Sequence, residues 1–247
     1  MPGTLAKIDA VVLAGGQGTR IAGVLGSTPK VLAPIGGTTF LDLLLVRLEA
    51  AGLERVVLCL GHLAERVLAH LSGRAPDRLS VIPVVEPAPL GTAGALRFAM
   101  KQLHSDPVLV LNGDSAVEVE LAGVVSEHQK SGAEASMLCV EVADARRYGR
   151  VIVGRQGNVE RFVEKDPSSA GPALINAGLY CFGRQALDRL AGSDGPSLER
   201  DFLEKLQPSA LHAVVRQGAF IDIGTPESLS GATAFFRESR RPVGEDS

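Results

Sequence analysis

The chain has 247 residues, of which 45% are hydrophobic, and a formal net charge of -3. That length suits one hydrophobic core better than two small ones, so a single large domain is expected. The mild charge, with no run of five or six like charges, argues against a nucleic-acid footprint or a polybasic membrane patch and leaves small molecules as the expected partners.

Residues 1–10 lack a basic segment followed by an apolar one. No uninterrupted apolar stretch reaches the roughly 18 residues of a membrane span, so neither an export signal nor an anchor is expected. Short apolar runs then alternate with stretches of helical period: "IDAVVLAG", "FLDLLLVRLEAAG", "RVVLCLG", "LAERVLAHLSG", "SVIPVVEP", "GTAGALRFAMKQL" and "PVLVLNGDS". Such alternation predicts an α/β sandwich around a mostly parallel sheet. From Ala133 the pattern turns β-rich: "ASMLCVEV", "GRVIVGRQGNVERFVEK" and "ALINAGLYCFG" are separated by Gly or Asn turns. The second of these predicts a hairpin turning at Gln156-Gly157-Asn158. The later strands are expected either to join the same sheet with antiparallel pairing or to form a lid beside it. Helical segments return at "QALDRLAG", at "SLERDFLEKL" with Ser197 as N-cap, and at "TPESLSGATAFFRE" with Thr225 as cap and Pro226 in the first turn. The reading is one domain over residues 1–236, with halves 8–132 and 133–236 and a charged, frayed tail at 237–247. No repeat at solenoid spacing is found, and no hexapeptide array follows the domain.

Cys59, Cys139 and Cys181 lie far apart in apolar runs, which reads as reduced core thiols and a cytoplasmic location. His62, His70, His104, His128 and His212 show no metal spacing.

Chemistry concentrates in three places. The first apolar run empties into Gly15-Gly16-Gln17-Gly18-Thr19-Arg20, with Lys30 behind Pro29. Glycine-rich backbone after a strand offers unobstructed N–H groups to phosphate oxygens, and two cations beside it suit a triphosphate. The same residues read equally as a glycine turn flanked by solvated cations. The loop is neither a P-loop, which requires G-x-x-x-x-G-K-[ST], nor the dinucleotide fingerprint, because Ile21 stands where its last glycine belongs. The second place is Asn112-Gly113-Asp114 at the end of an apolar strand, and the third is Asp222 within "FIDIGTPE". Ligand crevices in parallel sheets open at the carboxyl ends of strands, so the loop and Asp114 are expected to face one cleft. Two carboxylates beside a phosphate site are a usual way to hold Mg²⁺. Taken singly, Asp114 reads as a cap of the next helix and Asp222 as a cap of the turn before Thr225.

"LAGGQGTR" followed by "PKVL", then "PLGTAGAL", "NGDS", "RYGRV", "FVEK", "INAGLY" and "FIDIGTPE" stand in the order and approximate spacing of the sugar-1-phosphate nucleotidylyltransferases, which the chain resembles from about Ile8 to Phe236. The resemblance implies a Rossmann-like α/β/α sandwich with a mixed, mostly parallel sheet and an inserted β-rich sugar-binding region. It also implies a reaction in which an NTP and a sugar 1-phosphate give an NDP-sugar and pyrophosphate. By that likeness 8–132 is the nucleotide half and 133–236 the sugar half. Leu13, Ala14, Gly15, Gly16, Gly18 and Thr19 would receive the nucleotide, together with Asn112 and Gly113. Gly91, Thr92 and Gly94 would line the base pocket. Arg20 would neutralise the pyrophosphate leaving group and Lys30 would sit at the α-phosphate. Asp114 and Asp222 would hold Mg²⁺. Tyr148, Gly149, Glu164, Asn176 and Gly178 would bind the sugar, and Lys165 would pair with its phosphate.

"EPAPLGTAGAL" and "SLERDFLEKL" resemble the guanylyl members, above all the bacterial D-glycero-α-D-manno-heptose 1-phosphate guanylyltransferases. The implied substrates are therefore GTP and that heptose phosphate, feeding capsule or surface polysaccharide, and a homodimer is suggested. Mannose 1-phosphate, or another sugar 1-phosphate, is the alternative within the class. The absence of a hexapeptide domain argues against the bifunctional uridylyl-and-acetyl enzymes and the larger guanylyl ones. "PKVL" departs from relatives that carry a second proline there, a change of loop stiffness that keeps the lysine. A silent nucleotide-sugar-binding paralogue is disfavoured because every charged position is kept. A glycosyltransferase is disfavoured because "NGDSAVEVE" holds a single aspartate and no Asp-x-Asp pair.

Overall fold

The structure is a computed structural model that describes residues 5–74, 76–165, 168 and 170–238. In chain order its elements are β1 (Asp9–Leu13), α1 (Ala22–Leu25), β2 (Pro34–Ile35), β3 (Thr38–Thr39), α2 (Phe40–Ala50), β4 (Arg55–Leu60), α3 (Ala64–Leu71) and β5 (Ser80–Val85). There follow α4 (Gly91–Ala99), β6 (Val108–Asn112), β7 (Ser115–Val117), α5 (Leu121–Ser131), β8 (Ala135–Val142), β9 (Arg150–Val153) and β10 (Val159–Val163). The last are β11 (Ala173–Phe182), α6 (Arg184–Ala191), β12 (Leu211–Arg216), β13 (Phe220–Asp222) and α7 (Pro226–Glu238).

One mixed sheet of nine strands organises the chain, in the order β10-β9-β11-β6-β1-β4-β5, with β8 pairing β11 and β12 pairing β8. The half built from β6, β1, β4 and β5 is parallel. Alternate residues of its strands project to opposite faces, as the two-residue strand period requires. Ala10, Val12, Val56, Leu58, Leu109 and Leu111 pack against α2, α3, α5 and α7. Val11, Val57, Cys59, Val108 and Val110 pack against α4, α6 and the Leu198–Phe202 turn. Burial on both faces explains why β1, β4 and β6 read as unbroken apolar runs, whereas the edge strand β5 is only partly covered. The sandwich and the mixed sheet thus agree with the expected fold.

The β-rich second half joins the same sheet and does not form a separate lid. β11 pairs antiparallel with β6, β8 and β9, and β9–β10 is a hairpin whose turn contains Gly157 at φ 78°. Two pairings have no counterpart in the sequence reading: β12 runs parallel to β8, and β13 pairs antiparallel with β7. Thr225 caps α7 as expected, its Oγ1 accepting from Ser228 N–H at 3.3 Å. "SLERDFLEKL" is capped by Ser197 but folds as a π-helical turn over Leu198–Phe202 followed by a 3-10 turn. The tail begins later than expected, because Arg237 and Glu238 are the last residues of α7; 239–247 lie outside the described residues. All three cysteines are buried and free, and burial pushes each thiol up to about 12. No helix among the described residues is long and apolar enough to cross a membrane.

Candidate active site

Strand register assembles the site. Parallel pairing of β1 with β6 sets Leu13 opposite Asn112, and Gly113 N–H donates to Leu13 O at 2.9 Å. The glycine loop and the Asn112-Gly113-Asp114 segment therefore leave the sheet side by side at their carboxyl ends. The short β7–β13 ladder sets Asp222 opposite Ser115, and Ile223 N–H donates to Asp114 O at 2.9 Å, which carries Asp222 to the same edge.

Two cavities meet there. The first, about 310 Å³, is lined by Leu13, Ala14, Gly15, Gly16, Lys30, Gly91, Thr92, Asn112, Gly113 and Asp114, and also by Gln17 and Glu86. The second, about 240 Å³, is lined by Arg20, Asn112, Asp114, Tyr148, Gly149, Asn176, Gly178 and Asp222, and also by Ser115, Arg147 and Phe220. Asn112 and Asp114 line both. Two backbone positions shape these walls. Gly178 sits at φ 71°, and a β-carbon there would lie 2.8 Å from both Asn112 Nδ2 and Ser115 Oγ. Gly91, also at φ 71°, opens α4 where a β-carbon would collide with the Pro196 carbonyl.

Charge is concentrated at the seam. Lys30 Nζ bonds Asp114 Oδ2 at 2.5 Å, with the lysine nearly buried and the carboxylate 42% exposed. Arg20 Nη2 and Lys30 Nζ lie 3.5 and 3.6 Å from the point a Gly224 β-carbon would occupy, so the two cations share one edge. Asp222 accepts from Tyr148 Oη at 2.6 Å, from Gly224 N–H at 2.8 Å and from Arg147 Nη2 at 3.2 Å. It thus caps its own turn, as one of its two sequence readings has it, and also lines the cavity. Burial pushes the Tyr148 phenol up, and the neighbouring Asp222 carboxylate adds to the shift, so the phenol stays a donor. Asp114 caps no helix.

Five expected residues, Gly18, Thr19, Gly94, Glu164 and Lys165, line neither cavity. Gly18, at φ 60°, precedes the Thr19–Ile21 turn, and its Cα hydrogens face the Lys30 stem. Gly94 is buried inside α4 against Leu90. Glu164 and Lys165 are exposed just beyond β10. Among the cavity residues not singled out from sequence are Gln17, Glu86, Ser115 and Arg147. Glu86 follows directly on β5, a parallel strand, so its place at a carboxyl end was the available signal. Its Oε2 accepts from Leu90 N–H at 3.2 Å, its Oε1 lies beside Gly15 and Gly61, and burial raises its carboxyl above the ordinary range.

The donor set fits Mg²⁺. Asp114 and Asp222 supply hard oxygens on one cavity, and among the described residues no cluster of three or more acids, histidines or cysteines encloses it. An ion that shares its shell with substrate phosphates and water needs no larger protein cage.

A model of the nucleotidyl transferase family matches residues 9–239. The mannose-1-phosphate guanylyltransferase of Mycobacterium tuberculosis is 33% identical over 233 residues, covering 92% of this chain and 64% of its own length. The D-glycero-alpha-D-manno-heptose 1-phosphate guanylyltransferase of Aneurinibacillus thermoaerophilus is 31% identical over 226 residues, covering 91% of this chain and 96% of its own. The crystal structure of HddC from Yersinia pseudotuberculosis complexed with GMP-PN superposes with a TM-score of 0.82 at 33% identity, covering 93% of this chain and 99% of that one.

Proposed function

From the premise that this chain belongs to the nucleotidyl transferase family, we propose that it transfers the nucleotidyl group of GTP to D-glycero-α-D-manno-heptose 1-phosphate, releasing pyrophosphate. The observation that carries this reading is the pair of cavities joined at Asn112 and Asp114, which offers two substrates one shared seam.

The first cavity takes the nucleotide. Its glycine backbone lies against the triphosphate, and Glu86 faces the base. Guanine is the base whose N1–H and N2–H₂ donors stand next to each other, matching a carboxylate. Uracil and thymine flank their single N–H with carbonyls, and adenine and cytosine set an acceptor beside their amino group. Glu86 therefore supports GTP. The second cavity takes the sugar 1-phosphate, with Tyr148, Asn176 and the Gly178 backbone toward the hydroxyls and Arg147 toward the phosphate. The heptose assignment is supported by the near full-length match to the Aneurinibacillus relative and by the HddC structures.

A sugar phosphate oxygen, already anionic at neutral pH, attacks the α-phosphorus in line. The new P–O bond forms as the bond to pyrophosphate breaks, and the electron pair leaves with pyrophosphate. No protein base is required. Lys30 stabilises charge at the α-phosphate and Arg20 charge growing on the leaving group, where fixed cations lower the barrier most. Asp114 and Asp222 would hold Mg²⁺, which when bound supplies charge neutralisation and alignment of the phosphates.

The test is pyrophosphate release with Mg²⁺, crossing GTP, ATP, CTP, UTP and dTTP with the 1-phosphates of D-glycero-D-manno-heptose, mannose, glucose and N-acetylglucosamine. Release with GTP and the heptose phosphate alone is expected. Release with mannose 1-phosphate would reassign the sugar, and no release from any pair would overturn the enzymatic reading.

A further inference from the structure

Behind the second cavity, and outside its lining, lies a fully buried hydroxyl. Tyr180 is 0% exposed on β11, and its Oη donates to Glu199 Oε1 at 2.9 Å while accepting from Asn176 Nδ2 at 2.8 Å. Asn176 closes the chain by accepting Gly178 N–H on its Oδ1 at 2.9 Å. Glu199 comes from the π-helical turn, a rare geometry often found at functional sites. That turn is fixed to the wall of the first cavity: Leu198 N–H donates to Thr92 Oγ1 at 2.8 Å and Ala93 N–H to Pro196 O at 2.9 Å.

The chemistry of the chain is directional. A hydroxyl has one proton, and a carboxylate accepts only. With Glu199 ionised, the Tyr180 proton points to it, so the lone pairs of Tyr180 are left for amide donors. Asn176 must then present Nδ2 to the tyrosine and Oδ1 to Gly178. Gly178 N–H keeps Oδ1 on its side, so without Glu199 the amide does not reverse; instead the tyrosine proton is free to turn toward Asn176 Nδ2, and the amide loses its anchor behind the cavity wall.

We propose that Glu199 is a positioning residue for the sugar half of the reaction, acting through Tyr180 to hold the Asn176 amide in place behind the second cavity. This rests on reading the second cavity as the sugar 1-phosphate site.

The experiment is steady-state kinetics of E199A, E199Q, Y180F and E199A/Y180F, varying the NTP and the sugar 1-phosphate separately. E199A and Y180F should each lower kcat/KM for the sugar phosphate about tenfold and leave the KM for NTP within about twofold. E199Q can still accept through Oε1 and should stay within about threefold of wild type, and the double variant should be no worse than the worse single one, because both break one chain. Equal losses for both substrates, or an unchanged sugar term in E199A, would overturn the proposal. If E199A does not fold, the contrast between Y180F and E199Q decides by the same criterion. Should the wild type transfer no nucleotide, the functional reading fails and the relay is judged alone on the side-chain amide resonances of Asn176. A shift between wild type and Y180F supports it, and coincidence refutes it.

Discussion

Asp114 stands where both cavities meet and Lys30 is its partner at 2.5 Å, so the two residues can be removed without opening the core. Asp114→Ala should leave the fold intact and lower the melting temperature by a few degrees at most, since the carboxylate is part-exposed while its partner Lys30 is nearly buried, and should abolish turnover. An active, Mg²⁺-dependent variant would remove the metal assignment. Arg20→Ala should lower kcat by at least about a hundredfold if the arginine acts on charge that grows toward the transition state. Glu86→Gln replaces one acceptor oxygen by a donor, so kcat/KM with GTP should fall about tenfold or more while UTP is affected less. Equal losses for both nucleotides would separate Glu86 from base choice. Residue type made Arg20, Lys30 and the two aspartates legible as candidates, because cations and acids beside glycine-rich backbone suit a phosphate site, although the same residues also serve as a turn cap and an ion pair. Glu86 was less visible, since one carboxylate after a strand is ordinary until the cavity around it is seen.

At the level of elements, β1 shows how a strand is held at its start so that its far end can carry a loop. Burial alone would raise the Asp9 carboxyl, but the His104 N–H, the Arg55 guanidinium and the Ser105 N–H together hold it below the ordinary carboxylate range. Arg55 Nη1 reaches Asp9 Oδ1 at 2.6 Å, which ties β1 to β4, and the His104 and Ser105 amides tie it to the segment that leads into β6. Asp9→Ala leaves those amides without their acceptor and should lower stability by about 1–3 kcal/mol, read as a shift of the urea midpoint at constant slope. Elements such as β1, α2 and β11 announced themselves as apolar runs or stretches of helical period. The β7–β13 ladder did not, because three residues per strand are too few to establish one, yet this ladder brings Asp222 to Asp114. Lys165 and Glu164 show the reverse: a motif legible in sequence lies exposed past β10, off both cavities.

Across the whole molecule, two buried groups shape the dependence of stability on pH. His128 is 5% exposed and bonds Ser136 Oγ at 2.8 Å, and burial pulls its pKa below the ordinary 6.5. The unfolded chain therefore takes up a proton at His128 near pH 6.5 while the folded chain resists it, and stability should fall as pH drops below that value. Asp9 works in a lower window: its contribution is complete above the ordinary carboxylate value of 3.8 and is lost as pH falls through its depressed folded value. Melting temperature against pH should thus decline in two steps on the acid side. His128→Gln, which keeps a partner for Ser136, should remove the upper step and leave the lower one. An unchanged upper step in that variant would assign it elsewhere.

What the sequence by itself determined is the class of fold and the residue types on offer for chemistry. Apolar period dictates strands and helices, and glycines, cations and acids keep their character wherever the chain carries them. What only the tertiary structure decided is which of those residues meet. Register set Leu13 beside Asn112, a three-residue ladder set Asp222 beside Asp114, and a π-helical turn set Glu199 on Tyr180. Contacts between residues 84 or more positions apart, such as Lys30 with Asp114, depend on how strands pair and layers pack, and no local pattern along the chain encodes that distance.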